Sequence, residues 1–335
     1  MSPQPPASAA FRRRLVAFGL PALAIAAAAA ALATLLRQRS PLEVAITSWP
    51  GYEYFYLAEQ KGLGRGVGLD LRTRQFSSLV DQRQAFERGD VPAMATTLAE
   101  SIAVCQEAPA KCPLLVLVLD ESVGADRVIA TAGITSPLQL IGRRVGLERS
   151  VLAEYILMRS FGERKTPLSA LKLRFDGPEA IVAALREGQL DAVVTYSPHD
   201  EPLLQDPRFH TVFSTAAIPG EVVDVLAVDP EFARRQPDQV KSLVQTWWQA
   251  RSYAAGHPGE AVAIMAGREQ IKSEQFRRSE RGLHYPGSEQ QASLLAADGP
   301  LARGLVRKAA LMRASGRIDA DAPLPQLSSA FLETR

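Results

Sequence analysis

Two periods of apolar spacing alternate along most of this chain. Short apolar runs bounded by Gly, Pro or polar clusters read as strands, and between them apolar residues return every three or four positions, the spacing of one helix face. Val44-Ala45-Ile46 is the first such run, followed by a helical pattern of Tyr52, Phe55, Tyr56 and Ala58 up to Gly62. Leu69 to Phe76 alternates as a strand, Leu79, Arg83 and Phe86 mark a helix ending at Gly89, Val91 to Thr97 is a strand and Leu98 to about Glu107 a helix. Leu114 to Leu119 is continuously apolar, the mark of a strand buried on both faces, and Val128-Ile129-Ala130 follows as a strand.

The pattern then restarts. A short helix runs from Ser136-Pro137-Leu138 to Gly142, Arg144 to Leu147 is a strand, and Ser150 is placed to cap a helix over Val151 to Phe161. A strand at Leu171 to Phe175, a helix at Glu179 to Glu187 and a strand at Asp191 to Tyr196 complete the unit. Ala85-Phe86-Glu87-Arg88-Gly89 before Val91, Ala93, Met94 and Thr96 matches Ala184-Leu185-Arg186-Glu187-Gly188 before Leu190, Ala192, Val193 and Thr195. Strand–helix alternation predicts parallel sheets, and two such units predict two α/β lobes. A further buried-type strand ends at Val228. Helical spacing resumes at Pro237, includes Trp247, Trp248 and Tyr253, and leads to a loop-like tail with Pro323 and Pro325.

The N-terminus stands apart. Arg12-Arg13-Arg14 precedes an apolar, Ala-rich run from Leu15 to Leu36, and Arg37 and Arg39 follow it. A basic cluster before an apolar stretch is an export signal, and this one is long enough to span a bilayer. Cleavage near Ala31-Leu32-Ala33 and retention as a membrane anchor through residues 15–36 both remain open. Either way the cluster places the remainder outside the cytoplasm, and no Cys follows the run to make a lipoprotein. Cys105 and Cys112 suit an oxidising compartment, where a disulfide around Gln106 to Lys111 is expected, two free thiols being the other reading. Two cysteines with no nearby His do not make a zinc site. A formal net charge of +2 on 335 residues gives no indication of a nucleic-acid partner. Gly62-Leu63-Gly64-Arg65-Gly66-Val67-Gly68 ends a helix and leads into a strand, the reverse of a nucleotide fingerprint.

Trp49-Pro50-Gly51-Tyr52 with Tyr56-Leu57-Ala58, Gly89-Asp90-Val91 through Thr96-Thr97, Gly142 with Arg144-Val145-Gly146, Gly188 through Tyr196-Ser197-Pro198, and Ile218-Pro219-Gly220-Glu221-Val222-Val223-Asp224 occur in that order. Over about residues 42–285 this order resembles the periplasmic solute-binding proteins of ABC importers, in the nitrate, sulfonate, taurine and thiamine-precursor group. The resemblance implies an α/β fold of the periplasmic-binding-protein type II: two α/β lobes joined by a two-strand hinge, preceded here by the N-terminal hydrophobic helix of residues 1–40. The lobes would be 42–127 plus 223–335, and 128–222. It also implies a ligand in the cleft between them, a permease partner in the inner membrane, a monomer, and no catalytic residue, cofactor or metal.

The same resemblance places Trp49, Tyr52, Thr96, Thr97, Ser122, Asp126, Glu148, Ser150, Tyr196, Ser197, Glu221 and Asp224 at strand ends facing the cleft. Aromatics there can stack on a small molecule, or form a lid over the core. The set is acidic. Asp224 lies inside an apolar strand, where an unpaired charge is costly, and Asp126 sits at the other crossover. Together they suit an ammonium, amidinium or protonated ring nitrogen, although a pairing of Asp126 with Arg127 and a structural role for Asp224 are the alternative. Glu148, just before the helix that Ser150 caps, would compete with an anion for that helix end. A membrane-tethered sensor or partner-binding module is a second functional reading. A thiamine-pyrimidine-synthase-like enzyme is a third, disfavoured because His199 is the only His near the cleft and no Cys is near it in sequence.

Overall fold

The computed structural model describes residues 41–162, 164 and 166–332. The expected export signal or anchor, residues 1–40, lies outside the described residues. Among those described, no helix is long and apolar enough to cross a membrane.

The first half of the chain runs β1 (Leu42–Ile46), α1 (Glu53–Lys61), β2 (Leu71–Gln75), α2 (Leu79–Glu87), β3 (Ala93–Thr97), α3 (Leu98–Glu107) and β4 (Leu114–Ser122). Next come β5 (Asp126–Thr131), β6 (Arg144–Leu147), α4 (Val151–Ser160), β7 (Lys172–Phe175), α5 (Pro178–Arg186), β8 (Ala192–Tyr196), α6 (Glu201–Leu204) and β9 (Phe209–Ser214). The chain returns through β10 (Val223–Val228) and continues with α7 (Pro230–Arg235), α8 (Pro237–Gly256), α9 (Pro258–Arg268), α10 (Ser273–Glu280), β11 (Leu283–His284), α11 (Ser288–Leu294), α12 (Pro300–Ala314) and β12 (Gln326–Leu327).

Hydroxyl side chains start the helices that matter here. Ser78 accepts from the Asp81 N–H, Thr97 from that of Glu100 and Ser150 from that of Ala153, which satisfies donors the helix itself leaves free. Gly89 and Gly188, each just past the end of a repeated helix, hold φ of 78° and 75°, the left-handed region that favours glycine. Two expected elements are shorter than their sequence pattern. The Leu69–Phe76 strand begins only at Leu71, because the Leu69 N–H is drawn into a turn by the Gly64 carbonyl. The segment after Ser136 is a single 3₁₀ turn, Pro137–Leu140.

The strands form two mixed sheets. The first has the order β11-β4-β10-β3-β1-β2, with β12 beside β4; the second is β7-β6-β8-β5-β9. In each, the opening strand–helix–strand–helix–strand unit is parallel (β2-β1-β3 and β7-β6-β8), and its third strand pairs antiparallel with a strand that arrives from a crossover. The repeat in the sequence is therefore a repeat of topology. The crossovers are short: Val123 to Ala125 between β4 and β5, and Thr215 to Val222 between β9 and β10. The Ser122 and Thr215 hydroxyls, 2.7 Å apart, tie them together.

Both faces of each sheet are covered. In β1, Val44 and Ile46 point toward Phe55, Trp247 and Met265, while Ala45 points toward Leu98, Ile102 and Leu305, the alternation expected of a strand. In the second sheet Val128 and Val145 pack with Tyr155 and Ile156, and Ile129 and Val193 with Ile181 and Leu185. Cys105 at the end of α3 is bonded to Cys112.

Candidate functional site

The carboxyl end of β1 turns through Pro50 and Gly51 into α1, and this turn delivers two aromatic donors to two carboxylates. Trp49 Nε1 donates to Asp120 Oδ1 at 3.2 Å, and the Tyr52 hydroxyl donates to Asp224 Oδ1 at 2.5 Å. Asp120 was not among the expected site residues. It follows the apolar run Leu114 to Leu119, and its one signal was being the first polar residue after that run. The strand continues to Ser122, and the register sets Asp120 opposite Asp224, with Thr97 on the other side of Asp224. The neighbour of Asp224 in its own sheet is thus Asp120, while Asp126 approaches from the second sheet, opposite Tyr196.

Gly51 explains the spacing of the turn. A Cβ there would overlap Asp120 Oδ2 and lie 2.8 Å from Cγ of the fully buried Asp120. Gly51→Ala is expected to lower stability by about 1–3 kcal/mol, the usual cost of overpacking. Chemical denaturation checks this, and an unchanged midpoint would mean that Asp120 moves freely.

Thr47, Trp49, Tyr52, Leu79, Thr97, Asp126, Leu152, Tyr196 and Asp224 line a cavity of about 20 Å³, room for one or two waters. No Lys or Arg is among these lining residues. Trp49 meets Tyr196 edge-on with ring centroids 6.0 Å apart, and Tyr52 at 6.4 Å. An adjoining space is lined by Glu148, Ser150 and Ala153. Both spaces bring together side chains from the two sheets.

Burial dominates the electrostatics. It pushes the Asp126 carboxyl up to about 6 and that of Glu148 up to about 7. Asp120 and Asp224 are both raised, by desolvation foremost, and each touches the other. Two carboxylates in contact hold their proton longer than either would alone. Asp120 Oδ2 and Asp126 Oδ2 are buried with no donor. Arg127 makes its ion pair with Asp200, and its charge only partly offsets the burial of Asp126. For a carboxyl whose folded-state affinity for protons is raised, stability is highest at low pH and falls as pH climbs through the raised value. For Asp126, going from 3.8 to about 6, the cost above pH 6 is of the order of 3 kcal/mol. Asp126→Asn is therefore expected to gain melting temperature relative to the wild type as pH rises from about 4 to about 7; a difference that stays constant with pH would contradict this.

The remaining expected residues divide. Tyr196 lies 3.4 Å through its hydroxyl from Glu148 Oε2. Thr97 and Ser150 line the two spaces and also cap helices. Thr96 faces away from Thr97, as alternate strand residues do, and its hydroxyl is buried without a partner. Ser122 belongs to the crossover tie. Ser197 bonds Asp200 at 3.1 Å. Glu221 accepts from Arg159 Nε at 2.6 Å and the Tyr155 hydroxyl at 2.6 Å. Ser122, Ser197 and Glu221 line neither space. His199 sits edge-on to Tyr196 at 5.2 Å. Glu148 does not reach the helix that follows it: its Oε1 accepts from the Leu79 N–H at 2.8 Å, at the start of α2. Among the described residues no cluster of His, Cys, Asp and Glu is arranged to hold a metal ion.

Residues 49–261, well over half of the chain, match the profile described as NMT1/THI5 like. The chain belongs to the NMT1/THI5-like family. The taurine-binding periplasmic protein of Escherichia coli is 22% identical over 303 residues, which are 87% of this chain and 92% of that protein. The alkanesulfonate-binding protein SsuA from Xanthomonas axonopodis pv. citri, solved with MOPS, superposes with a TM-score of 0.70 at 13% identity, over 88% of this chain and 98% of that one. The nitrate-binding protein NrtA from Synechocystis gives a TM-score of 0.65 at 10% identity, over 84% and 83% of the two chains. All three are binding proteins by name, and the two solved structures share the α/β fold of this chain.

Proposed function

We propose that this chain is an extracytoplasmic solute-binding protein that carries a small cationic or zwitterionic organic molecule to an ABC importer. In this reading residues 42–127 with 223–335 form one lobe and 128–222 the other. The two crossovers are the hinge, closure about it buries the ligand, and the protein works as a monomer without cofactor. The N-terminal segment, cleaved or kept as an anchor, would leave the lobes outside the cytoplasm. The observation that carries the ligand class is the lining: buried Asp126 and Asp224, with Asp120 behind Trp49, in an aromatic wall without a Lys or Arg. A cation entering there would give Asp126 Oδ2 the partner it lacks and would face the rings of Trp49 and Tyr196. At about 20 Å³ the cavity requires opening for entry, which the hinge supplies.

A thermal-shift screen of the purified chain against amines, amidines, thiamine precursors, sulfonates and nitrate tests the reading. A ligand at a hundred times its dissociation constant adds about 2.7 kcal/mol, which raises the melting temperature by several degrees. A hit among the cations is the expected result. A hit confined to sulfonates or nitrate would keep solute binding and overturn the ligand class, and the absence of any hit would favour a tethered partner-binding module.

A further inference from the structure

Two helices open their N-termini on the cleft, one from each sheet. Leu79 at the start of α2 and Leu152 in the first turn of α4 both line the cavity. A helix start carries free N–H groups and partial positive charge, and it is where an acid group is ordinarily held. Here both places are taken, and in each case by a carboxylate from the opposite half. Glu148, at the end of β6, crosses to the Leu79 N–H at 2.8 Å. Glu100, in α3, crosses the other way, its Oε1 accepting from Val151 N–H at 2.6 Å and Leu152 N–H at 3.3 Å. Glu100 Oε2 is 3.0 Å from Arg83 Nε. Both glutamates are buried, at 4% and 0% exposure, so neither is a surface contact that solvent would replace at no cost.

We infer that Glu148 and Glu100 are specificity-determining residues, built-in carboxyl groups that fill the helix ends where a ligand's acid group would bind. The inference rests on the solute-binding reading and narrows it. An acid-bearing ligand, whether sulfonate, nitrate or zwitterion, would have to displace a buried carboxylate and lie beside Asp126 and Asp224, so the cleft selects a cation with no acid group. The same two contacts bridge the halves. The protein therefore supplies part of the closing interaction from its own chain.

Ethanesulfonate, taurine and an amine hit from the screen are titrated by calorimetry into the wild type and Glu148→Ser, with circular dichroism and melting to confirm that the variant folds. Glu148→Ser removes the carboxylate and leaves the Leu79 N–H beside a hydroxyl donor. The wild type is expected to show no sulfonate or taurine binding at 10-millimolar order, and the variant at least about a tenfold gain, the energy of one well-placed hydrogen bond to an anion. Sub-millimolar binding of ethanesulfonate or taurine by the wild type would overturn the inference, as would a folded Glu148→Ser that gains nothing. An amine that both proteins bind would still show that solute binding stands in either of those cases. If Glu148→Ser fails to fold, Glu148→Gln replaces it: an unchanged preference for amine over ethanesulfonate in that variant would likewise overturn the inference, and a preference reduced at least about tenfold would support it.

Discussion

Asp224→Asn should weaken binding of an amine or amidine by about 30-fold or more, the 2–5 kcal/mol typical when one member of a buried charge pair is removed. Asp224 is held by the Tyr52 hydroxyl at 2.5 Å and faces Asp120 across the register of β10 and β4. A cation binds best when this pair is ionised, and burial together with the facing carboxylate holds its protons well past the ordinary aspartate range. Protons and ligand then compete: wild-type affinity falls as pH drops and the pair gains its protons, Asp120 at about 7, and binding at lower pH releases protons to the buffer. Calorimetry in two buffers of different ionisation enthalpy reads that release directly. Tyr52→Phe removes one donor and should cost less, about 1.5–3 kcal/mol. Equal affinity in wild type and Asp224→Asn would end the case for a carboxylate-recognised ligand.

Trp247→Ala is expected to cost about 3–5 kcal/mol of folding stability, the range for deleting a fully buried aromatic. Trp247 is 1% exposed on α8. Its ring lies 4.9 Å from that of Phe55 and 5.3 Å from that of Tyr54, both on α1. The α1 helix begins immediately after the Trp49-Pro50-Gly51-Tyr52 turn, so the same packing fixes the direction in which Tyr52 reaches Asp224. Trp248, only partly buried at the edge of this cluster, is the internal comparison and should cost distinctly less on truncation. Urea titration gives both values from the midpoint at constant slope. A loss below about 1 kcal/mol for Trp247→Ala would show that α8 does not anchor the turn.

Local patterns carried the reading of the fold a long way. The period of apolar residues located each strand and helix from β1 to β8 and again β10 and α8, Ser150 was readable as a cap, and the Gly89 and Gly188 repeats signalled two equivalent units. Asp224 stood out because a charge inside an apolar strand needs a reason. What escaped was whatever depends on which strand lies beside which. Asp120 looked like the first residue of a loop, and only the register with β10 makes it the partner of Asp224. Glu100 carried no signal in the sequence, yet it reaches α4 in the other half. Glu148 was expected to act on the helix next to it in sequence and acts instead on α2. Long-range pairing leaves no trace in a local window, so the acidic character of the site was legible and its wiring was not.

The position of β10 has a consequence for how the polypeptide acquires its structure. This strand lies between β3 and β4, yet about a hundred residues of chain separate β4 from it. A chain delivered N-terminus first, from a ribosome or through a translocation pore, holds β3 and β4 long before their common neighbour exists. The contiguous stretch from β5 to β9 has all the strands of its sheet and can order early. The first sheet must wait, with apolar edges of β3 and β4 unpaired, for residues past 223. Non-local closure of this kind is slow, and it leaves the growing chain threadable until nearly all of it has emerged.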